Sequence, residues 1–366
     1  MKIALITIHK VTNYGAILQA YAARVALSKY GDVKTIDYKN EHLDSHMNLL
    51  RFKFSVHGFK MLAHDLLNLS NRSKVLSRFN SFIKLNMNLT KQINADQLEK
   101  GELEDFEVYV CGSDQIWNPV VVSSNKTIDP IFFLSFVHEN KKKFSLASSI
   151  GHHQYSKNEK AEVKELLSGF NNISVRENDG QKKIKEIFPE RDIYHVLDPT
   201  LLLSKKEWYS NFNIKEEEQK YILVYSVPRT ELIKKAIIFF SQKLKLKVIT
   251  IDRMLMPITK VHKQIRTAGP EEFIQLYANA SFVITDSFHG TCFAVNFEKP
   301  FACISANERA NRQESLLNLL GIKERLMYKE EDFINLTTEL NYDFITKKLE
   351  KARQESLDYI QLAIGN

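Results

Sequence analysis

The chain has 366 residues, of which 44% are hydrophobic and 26% are charged, and its formal net charge is +7. This length exceeds what one hydrophobic core usually fills, so two domains are expected, and the composition excludes a disordered or fibrous chain. No segment reaches the roughly 18 apolar residues of a membrane span. The three cysteines have no metal or disulfide spacing, and the apolar start ends at His9 without a cleavage site. These features predict a cytoplasmic protein.

The first half of the chain alternates short apolar runs with helical patterns, which predicts βαβ units and a mostly parallel sheet. A connector is predicted at 195–200, because Pro199 disfavours a helical Asp198 and fits poorly inside a central strand. The N-terminal domain is therefore predicted to span 1–195. Its predicted strands are 2–9, 33–38, 106–111, 144–148 and 173–175, and its predicted helices are 16–30, 157–167 and 179–187.

The second half repeats the alternation, and it predicts a C-terminal domain over 196–345. Within it, residues 269–291 form an amphipathic helix, a buried strand and a polar turn that opens the next helix. A last helix over 346–366 is expected to cross back to the first domain. The predicted fold class is α/β, with two doubly wound Rossmann-like domains facing across a cleft. The other predicted strands are 221–227, 247–251 and 301–305, and the other helices are 231–243 and 310–320.

Residues 51–91 hold eight Lys or Arg and one acidic residue, Asp65, a local excess that equals the whole net charge of +7. Phenylalanine and leucine residues are interleaved with these charges. This pattern is typical of amphipathic helices on an anionic membrane or near a diphosphate-linked substrate, and it predicts peripheral contact with the inner face of the membrane. The alternative is a solvated insertion over 45–100 that packs on the N-terminal domain. Nucleic-acid binding is not expected, because no known module accompanies the charge.

Polar loops follow three predicted strands of the N-terminal domain. Residues 12–15 open a helix whose first N–H groups suit a phosphate or carboxylate, although no dinucleotide or P-loop pattern is present. Residues 111–118 offer groups for sugar hydroxyls and a tryptophan face for a sugar ring; the alternative is that they are caps and a packed tryptophan. The loop 148–153 ends in two histidines. The predicted acceptor-binding residues are Asn13, Tyr14, Gly15, Ser113, Asp114, Gln115, Trp117, Asn118 and His152.

Two further residues are candidates for chemistry. Arg176 follows a short apolar run, and its guanidinium matches a planar carboxylate or a phosphate; the alternative is an ion pair with Glu177 or another nearby acid. His289 lies in a polar turn after a buried strand, where open α/β sheets bind ligands and a helix N-terminus favours an anion. It can transfer a proton near neutral pH, or it is a capping or core histidine. Asp286 either caps the helix or orients His289.

Five motifs together resemble the polysaccharide pyruvyl transferase family. They are NYGAILQAYA at 13–22, CGSDQIWNP at 111–119, ISVREN at 173–178, VLDPTLLL at 196–203 and GPEEFIQLYANASFVITDSFHGT at 269–291. The resemblance implies a fold like that of the two-domain GT-B glycosyltransferases. It also implies transfer of a pyruvyl group from phosphoenolpyruvate to a sugar, commonly as a ketal, on a cell-surface polysaccharide such as a capsule or exopolysaccharide. A lipid-diphosphate-linked oligosaccharide is the expected precursor. Phosphoenolpyruvate is a co-substrate, and no cofactor or metal is implied.

The resemblance implies that Arg176 binds the donor and that His289 belongs to the catalytic region. Some members have an arginine two positions before that histidine, where this chain has Ser287. Cations on the preceding loop are expected to supply the missing charge: Lys260, Lys263 or Arg266. The predicted donor-binding residues are Arg176, Arg266, Ser287, His289, Gly290 and Thr291, and the predicted catalytic residues are His289 and Arg176.

Two other functions remain open at this point. One is a glycosyltransferase that uses a nucleotide-sugar donor, because the two-domain architecture serves both chemistries and a fold does not determine a function. The other is a carbohydrate-binding or assembly protein, if the departure at Ser287 marks a lost activity.

Overall fold

The computed structural model describes residues 1–52, 55–217, 220–305 and 310–365, with only the backbone for Val56 and His57. Lys53 and Phe54 of the predicted basic segment lie outside the described residues. The chain divides into two compact units. Unit 1 comprises Met1–Arg51, Asn80–Leu202 and Lys351–Asn366, and unit 2 comprises Phe52–Phe79 and Leu203–Glu350.

Strands and helices alternate along most of the chain. The strands are β1 (Lys2–Ile6), β2 (Asp32–Thr35), β3 (Val108–Cys111), β4 (Lys142–Ser145), β5 (Ile173–Val175), β6 (Ile193–His195), β7 (Tyr221–Tyr225), β8 (Lys247–Ile251), β9 (Lys263–Ile265), β10 (Phe282–Thr285), β11 (Phe301–Ile304) and β12 (Leu326–Met327). The helices are α1 (Tyr14–Leu27), α2 (Glu41–Asp44), α3 (Val56–Leu67), α4 (Leu69–Asn86), α5 (Ala95–Glu99), α6 (Pro119–Val122), α7 (Lys157–Ser168), α8 (Asn178–Ile187), α9 (Pro199–Leu202), α10 (Lys205–Asn211), α11 (Glu231–Leu244), α12 (Pro270–Ala278), α13 (Phe288–Asn296), α14 (Asn311–Leu320), α15 (Glu331–Asn335) and α16 (Tyr342–Gly365). Short 3-10 turns lie at Ser45–Met47, Pro130–Phe133 and Lys323–Arg325.

Unit 1 is built on a parallel sheet with the strand order β2-β1-β3-β4. Ile3 of β1 is opposite Val33 on one side and Val108 on the other. The parallel pair β5 and β6 continues beyond β4, where an isolated bridge joins Ser148 to Val175. Because β2 and β3 lie on opposite sides of β1, the chain reverses its direction across the sheet there. The carboxyl ends of β1 and β3 therefore mark the switch point of unit 1.

Burial along β1 is what a central parallel strand requires. All residues of β1 after Lys2 are buried, because connecting helices cover both faces of such a sheet. The end of α16 also packs in unit 1, where the Tyr359 hydroxyl donates to the Ser145 carbonyl at 2.7 Å. The C-terminal part of α16 thus belongs to the same unit as the first strand.

Unit 2 is a parallel sheet with the order β12-β11-β10-β7-β8-β9. Numbered within the unit, this is 6-5-4-1-2-3, the doubly wound Rossmann order. Its core is formed by strand residues such as Val224 and Ile284 with Phe240 of α11. The switch point lies at the carboxyl ends of β7 and β10. Both units have parallel sheets with helical connections, which confirms the predicted α/β class.

The basic insertion differs from the expectation that 45–100 packs wholly on the N-terminal domain. Phe52–Phe79 clusters with unit 2, where Arg78 donates to the Thr267 carbonyl at 2.7 Å and to the Glu272 carboxylate. These polar contacts join α4 to α12 and to the segment that precedes it. The remaining part of α4 belongs to unit 1, so the chain passes between the units within this helix.

The predicted connector at 195–200 is also placed differently. His195 ends β6, and α9 begins at Pro199, a residue that suits the first position of a helix because its missing N–H would be unpaired there. Unit 1 consequently continues to Leu202. Over the described part of the chain, no helix combines the length and the apolar character that crossing a bilayer demands.

Candidate functional site

The carboxyl end of β10 in unit 2 carries the turn that opens α13. Ser287 is the N-cap of this helix: its hydroxyl accepts a hydrogen bond from the Gly290 N–H at 3.3 Å. The Thr291 hydroxyl donates to the Ser287 carbonyl at 3.1 Å. Ser287, Gly290 and Thr291, all predicted to bind the donor, thus form the helix start itself. The N–H groups of this first turn and the helix dipole favour an anion at this end.

Asp286 ties the ends of β7 and β10 together across the switch point. Its carboxylate accepts from the Ser226 hydroxyl at 2.5 Å and from the Val227 N–H at 2.8 Å. Because Ser287 caps α13, Asp286 does not have the capping role that was one of its two predicted roles. Burial raises the pKa of Asp286 to about 6, although the hydrogen bonds from Ser226 and Val227 lower it.

The ionisation of Asp286 is expected to make unit 2 less stable as the pH rises. Its pKa is about 6 in the fold and 3.8 ordinarily, so this group contributes full stability below about pH 4 and loses it as the pH passes 6. The Asp286→Asn variant cannot ionise at this position. We expect its free energy of unfolding, relative to that of the native protein, to increase by about 2–3 kcal/mol as the pH rises from about 4 to about 7.5. Urea unfolding of both proteins across this range measures the difference. A difference that does not change with pH would contradict the raised pKa.

His289 lies in the first turn of α13 and is buried. Its ring packs against that of Phe288, with centroids 5.3 Å apart. The Arg312 guanidinium lies 5.7 Å from the centroid of the same phenylalanine ring. The start of α13 therefore combines a histidine, a helix N-terminus and a nearby arginine.

Among the described residues of unit 2, arginines follow four strands, and only one of these arginines was predicted. Because the carboxyl ends of parallel strands meet at one edge of a sheet, these arginines share the edge at which α13 begins. We call them the edge arginines: Arg229 after β7, Arg253 after β8, Arg266 after β9 and Arg312 after β11. The sequence signal is an arginine within eight residues of the end of a strand, which is too common to single out a site.

The edge arginines have different surroundings. Arg229 lies 3.5 Å from the Asp252 carboxylate and also donates to a backbone carbonyl. Arg266, predicted on a loop, directly follows β9 and donates to the Asn68 amide oxygen, a neutral partner that leaves its charge in place. Lys263, an alternative source of charge, is the first residue of β9, and Lys260 is exposed. The guanidinium of Arg266 therefore contributes positive charge at this edge.

Arg176 in unit 1 is buried among three carboxylates. Its guanidinium lies 2.8 Å from Asp198, 3.4 Å from Asp114 and 3.7 Å from Glu177, and its side chain has no exposed surface. Burial lowers the pKa of Arg176, but the carboxylates raise it above its ordinary value, so the group is charged. This geometry supports the ion-pair alternative for Arg176, because the three carboxylates already surround the guanidinium.

The loop 111–118, predicted to bind sugar, is folded into unit 1. Trp117 is 1% exposed; its ring stacks on Phe133 at 5.3 Å and its N–H donates to the Phe132 carbonyl. Ser113 is fully buried and donates to the Ala147 carbonyl at 2.8 Å. The expected sugar-stacking face of Trp117 is therefore covered by the core. Asp114 and Asn118 are also buried, with Asn118 as the N-cap of α6.

The remaining predicted acceptor residues differ in exposure. Asn13 caps α1 by accepting from the Ala16 N–H and is itself exposed, whereas Tyr14 and Gly15 are buried in the first helical turn. The others, Gln115 and His152, are partly buried.

A polar cavity in unit 1 was not predicted. It measures about 320 Å³ and is formed by residues 38–42, after β2, and 122–130, after β3. In its wall the Asp129 carboxylate accepts from the Tyr38 hydroxyl at 3.1 Å and from the Asn40 amide at 2.9 Å. The hydroxyls of Ser123 and Thr127 also line it. This size is at the lower end of small-molecule pockets, and the lining suits a ligand rich in hydroxyls. Sequence reasoning missed it because its two segments are far apart in the chain.

The described residues offer no group of three or more His, Cys, Asp or Glu side chains placed to hold a metal ion. The cysteines are free thiols, and all are buried: Cys111, Cys292 and Cys303.

Two Rossmann-like units with polar loops after their strands define a GT-B-like protein. The structure of UDP-GlcNAc 2-epimerase from Methanocaldococcus jannaschii is similar, with a TM-score of 0.51 and 14% identity over 96% of this chain and 92% of that one. S. aureus MnaA, solved with UDP, gives a TM-score of 0.50 and 11% identity over 100% of this chain and 97% of that one. At these identities the likeness concerns the fold alone. No curated protein sequence matches the chain.

The family model for polysaccharide pyruvyl transferases matches residues 13–308. The chain therefore belongs to the polysaccharide pyruvyl transferase family, as its motifs predicted.

Proposed function

We propose that this protein transfers the pyruvyl group of phosphoenolpyruvate to a sugar of a cell-surface polysaccharide or of its lipid-linked precursor, and that the product is a ketal. The observation that carries the proposal is the start of α13, where His289 lies on an edge of unit 2 to which four of the described arginines belong. Phosphoenolpyruvate has a carboxylate and a phosphate, and guanidinium groups and helix N–H groups bind both. Membership of the family supports pyruvyl transfer as the reaction.

The proposed reaction needs a proton donor and a proton acceptor but no redox step. The methylene carbon of phosphoenolpyruvate takes up a proton, and a sugar hydroxyl adds to the neighbouring carbon and loses its own proton. A second hydroxyl then displaces the phosphate and loses its proton, which the departing phosphate takes up, so the products are the ketal and inorganic phosphate. We assign His289 to proton transfer in this sequence, because imidazole both gives and takes protons near neutral pH. Asp286 positions the loops around it through its bonds to Ser226 and Val227.

The edge arginines are proposed to supply the charge that an arginine at the place of Ser287 supplies in other members. Arg312 is the best test, since it lies beside the ring that packs on His289. We expect Arg312→Met to weaken phosphoenolpyruvate binding about tenfold or more, as loss of a charged hydrogen bond implies. Isothermal titration calorimetry with phosphoenolpyruvate alone measures this affinity. Lys329→Met, which removes an exposed charge of unit 2, is the control and should bind like the native protein. Equal affinities for all three proteins would remove Arg312 from the donor site.

The polar cavity of unit 1 is proposed to hold part of the sugar acceptor. Its hydroxyl, amide and carboxylate groups match the hydrogen-bonding groups of a saccharide. We expect Thr127→Trp, which fills the cavity from an exposed position, to raise the KM for the acceptor about tenfold and to leave phosphoenolpyruvate affinity unchanged. Steady-state kinetics with each substrate varied in turn separates these effects. Ser168→Trp, on the exposed end of α7, is the matched control. An unchanged acceptor KM in Thr127→Trp would place the sugar elsewhere.

A nucleotide-sugar donor is the second candidate. The strand order of unit 2 favours this candidate, since sheets with that order commonly bind nucleotides. The similar S. aureus protein was also solved with UDP. Thermal shift measurements with each donor distinguish the two. Stabilisation by UDP-sugars and none by phosphoenolpyruvate would favour the second candidate.

A further inference from the structure

Helix α3 exposes apolar side chains on its outer face. Phe59 is 58% exposed, Leu66 is 54% exposed and Leu67 is 72% exposed. Phe59 and Leu66 are seven residues apart, so they lie on one face of the helix, with Ala63 between them. Large apolar side chains grouped in this way mark an interaction surface, whereas isolated ones are common on any protein.

The inner face of α3 carries a buried charge instead. Asp65 is fully buried, with its carboxylate 3.7 Å from the Arg72 guanidinium of α4 and 3.5 Å from the His64 ring. The helix thus buries a carboxylate and exposes phenylalanine and leucine, the reverse of a helix that simply covers a core. Its outward apolar face is not explained by packing within unit 2.

Basic residues accompany this face. Lys60 lies beside Phe59 on α3, and Lys74 follows on α4; both are exposed. The only acidic residue in 51–91 is Asp65, which is buried and ion-paired and so does not offset them. We call the outward residues of α3 the α3 surface: Phe59, Lys60, Ala63, Leu66 and Leu67.

Contacts within unit 2 place α3 and α4 at the carboxyl edge of the sheet. Asn68, at the end of α3, accepts from Arg266, which directly follows β9. The Arg253 guanidinium, which follows β8, lies 5.1 Å from the Phe79 ring centroid of α4. The loop after Arg253 also exposes apolar side chains: Met254, Leu255 and Met256. Apolar and basic groups are thus exposed on the same edge of unit 2 as the start of α13.

We infer that the α3 surface docks the protein on an anionic phospholipid membrane. Leucine and phenylalanine enter the headgroup region, and lysines bind the anionic headgroups, a combination that an amphipathic helix provides. A second copy of the chain fits less well, because it would bring like charges from both copies together. The inference goes beyond the proposed reaction and does not depend on it.

Vesicle sedimentation without donor or acceptor tests the inference, so its result is independent of the proposed reaction. The native protein is expected to partition about tenfold more onto phosphatidylglycerol-containing vesicles than onto phosphatidylcholine vesicles at low salt, and less at high salt. The variant Phe59→Asp/Leu66→Asp/Leu67→Asp is expected to lose at least about tenfold in partitioning. The control, Ile238→Asp/Ile334→Asp/Phe344→Asp, changes three exposed apolar residues elsewhere in unit 2 and should bind like the native protein.

Circular dichroism and thermal unfolding verify that both triple variants are folded. The inference is overturned if the native protein does not bind anionic vesicles, if the α3 variant binds like the native protein, or if the control loses binding equally. Sedimentation velocity tests whether a second copy of the chain binds the α3 surface instead of a membrane. A native dimer that the α3 variant converts to monomer would show that the surface binds a second copy instead.

Discussion

Replacing His289 with glutamine is expected to lower kcat by about 10²–10⁴-fold while phosphoenolpyruvate still binds. The proposed reaction assigns proton transfer to the His289 imidazole, and a glutamine side chain can neither give nor take that proton. Because glutamine has a similar size and can donate a hydrogen bond, the buried site should keep its shape. The loss should therefore fall on turnover, and the KM for phosphoenolpyruvate should change little.

Phosphate release from phosphoenolpyruvate with the acceptor present measures this effect, and donor titration measures binding. His138→Gln is the control, because His138 is an exposed histidine outside both proposed sites. Native turnover in His289→Gln would assign proton transfer to another residue. A loss of folding, seen by circular dichroism, would give His289 a core role, which was the alternative prediction.

Replacing Arg176 with methionine is expected to destabilise unit 1 by about 3–5 kcal/mol. The guanidinium balances three carboxylates, and removing it leaves Asp114, Glu177 and Asp198 without their shared buried cation. The double variant Arg176→Met/Asp198→Asn should regain part of the lost stability, because the second change removes one of the unbalanced charges. Lysine at this position should be intermediate, since it keeps the charge but not the fork.

Urea unfolding of these variants measures the effect. Arg78→Met, which breaks an exposed ion pair with Glu272, is the control and should cost only about 0–1 kcal/mol. If Arg176→Met were as stable as the native protein and lost only phosphoenolpyruvate binding, Arg176 would have the donor-binding role that the family resemblance implied.

The fold class followed from the sequence because it depends on periodicity over many residues. Buried strands such as β1 and β10 are continuous apolar runs, and amphipathic helices separate them. The short strands β6, β9 and β12 were missed, whereas β5, which also has only three residues, was predicted from its apolar run. The strand β9 also lies at an edge and begins with an exposed lysine, so its composition is that of a loop.

The part of the candidate site that could be predicted is formed by residues that are adjacent in the sequence. The polar turn after β10 combines a strand end with a helix start, and these are adjacent in the chain. Trp117 was misplaced because its partner Phe133 is sixteen positions away, and the sequence alone does not show whether an indole is covered. The polar cavity, the edge arginines and the reversed burial of α3 depend on contacts between distant segments, which no short motif records.

Transfer of the pyruvyl group itself is the most direct test of the central claim. The protein is incubated with phosphoenolpyruvate labelled in the pyruvyl carbons and with a lipid-linked or polysaccharide acceptor preparation, and both label on the sugar and free phosphate are measured. We predict equal amounts of label and phosphate, neither without the acceptor, and neither with His289→Gln. Sugar transfer from a nucleotide sugar without pyruvyl transfer, or tight acceptor binding with no turnover of either donor, would contradict the account.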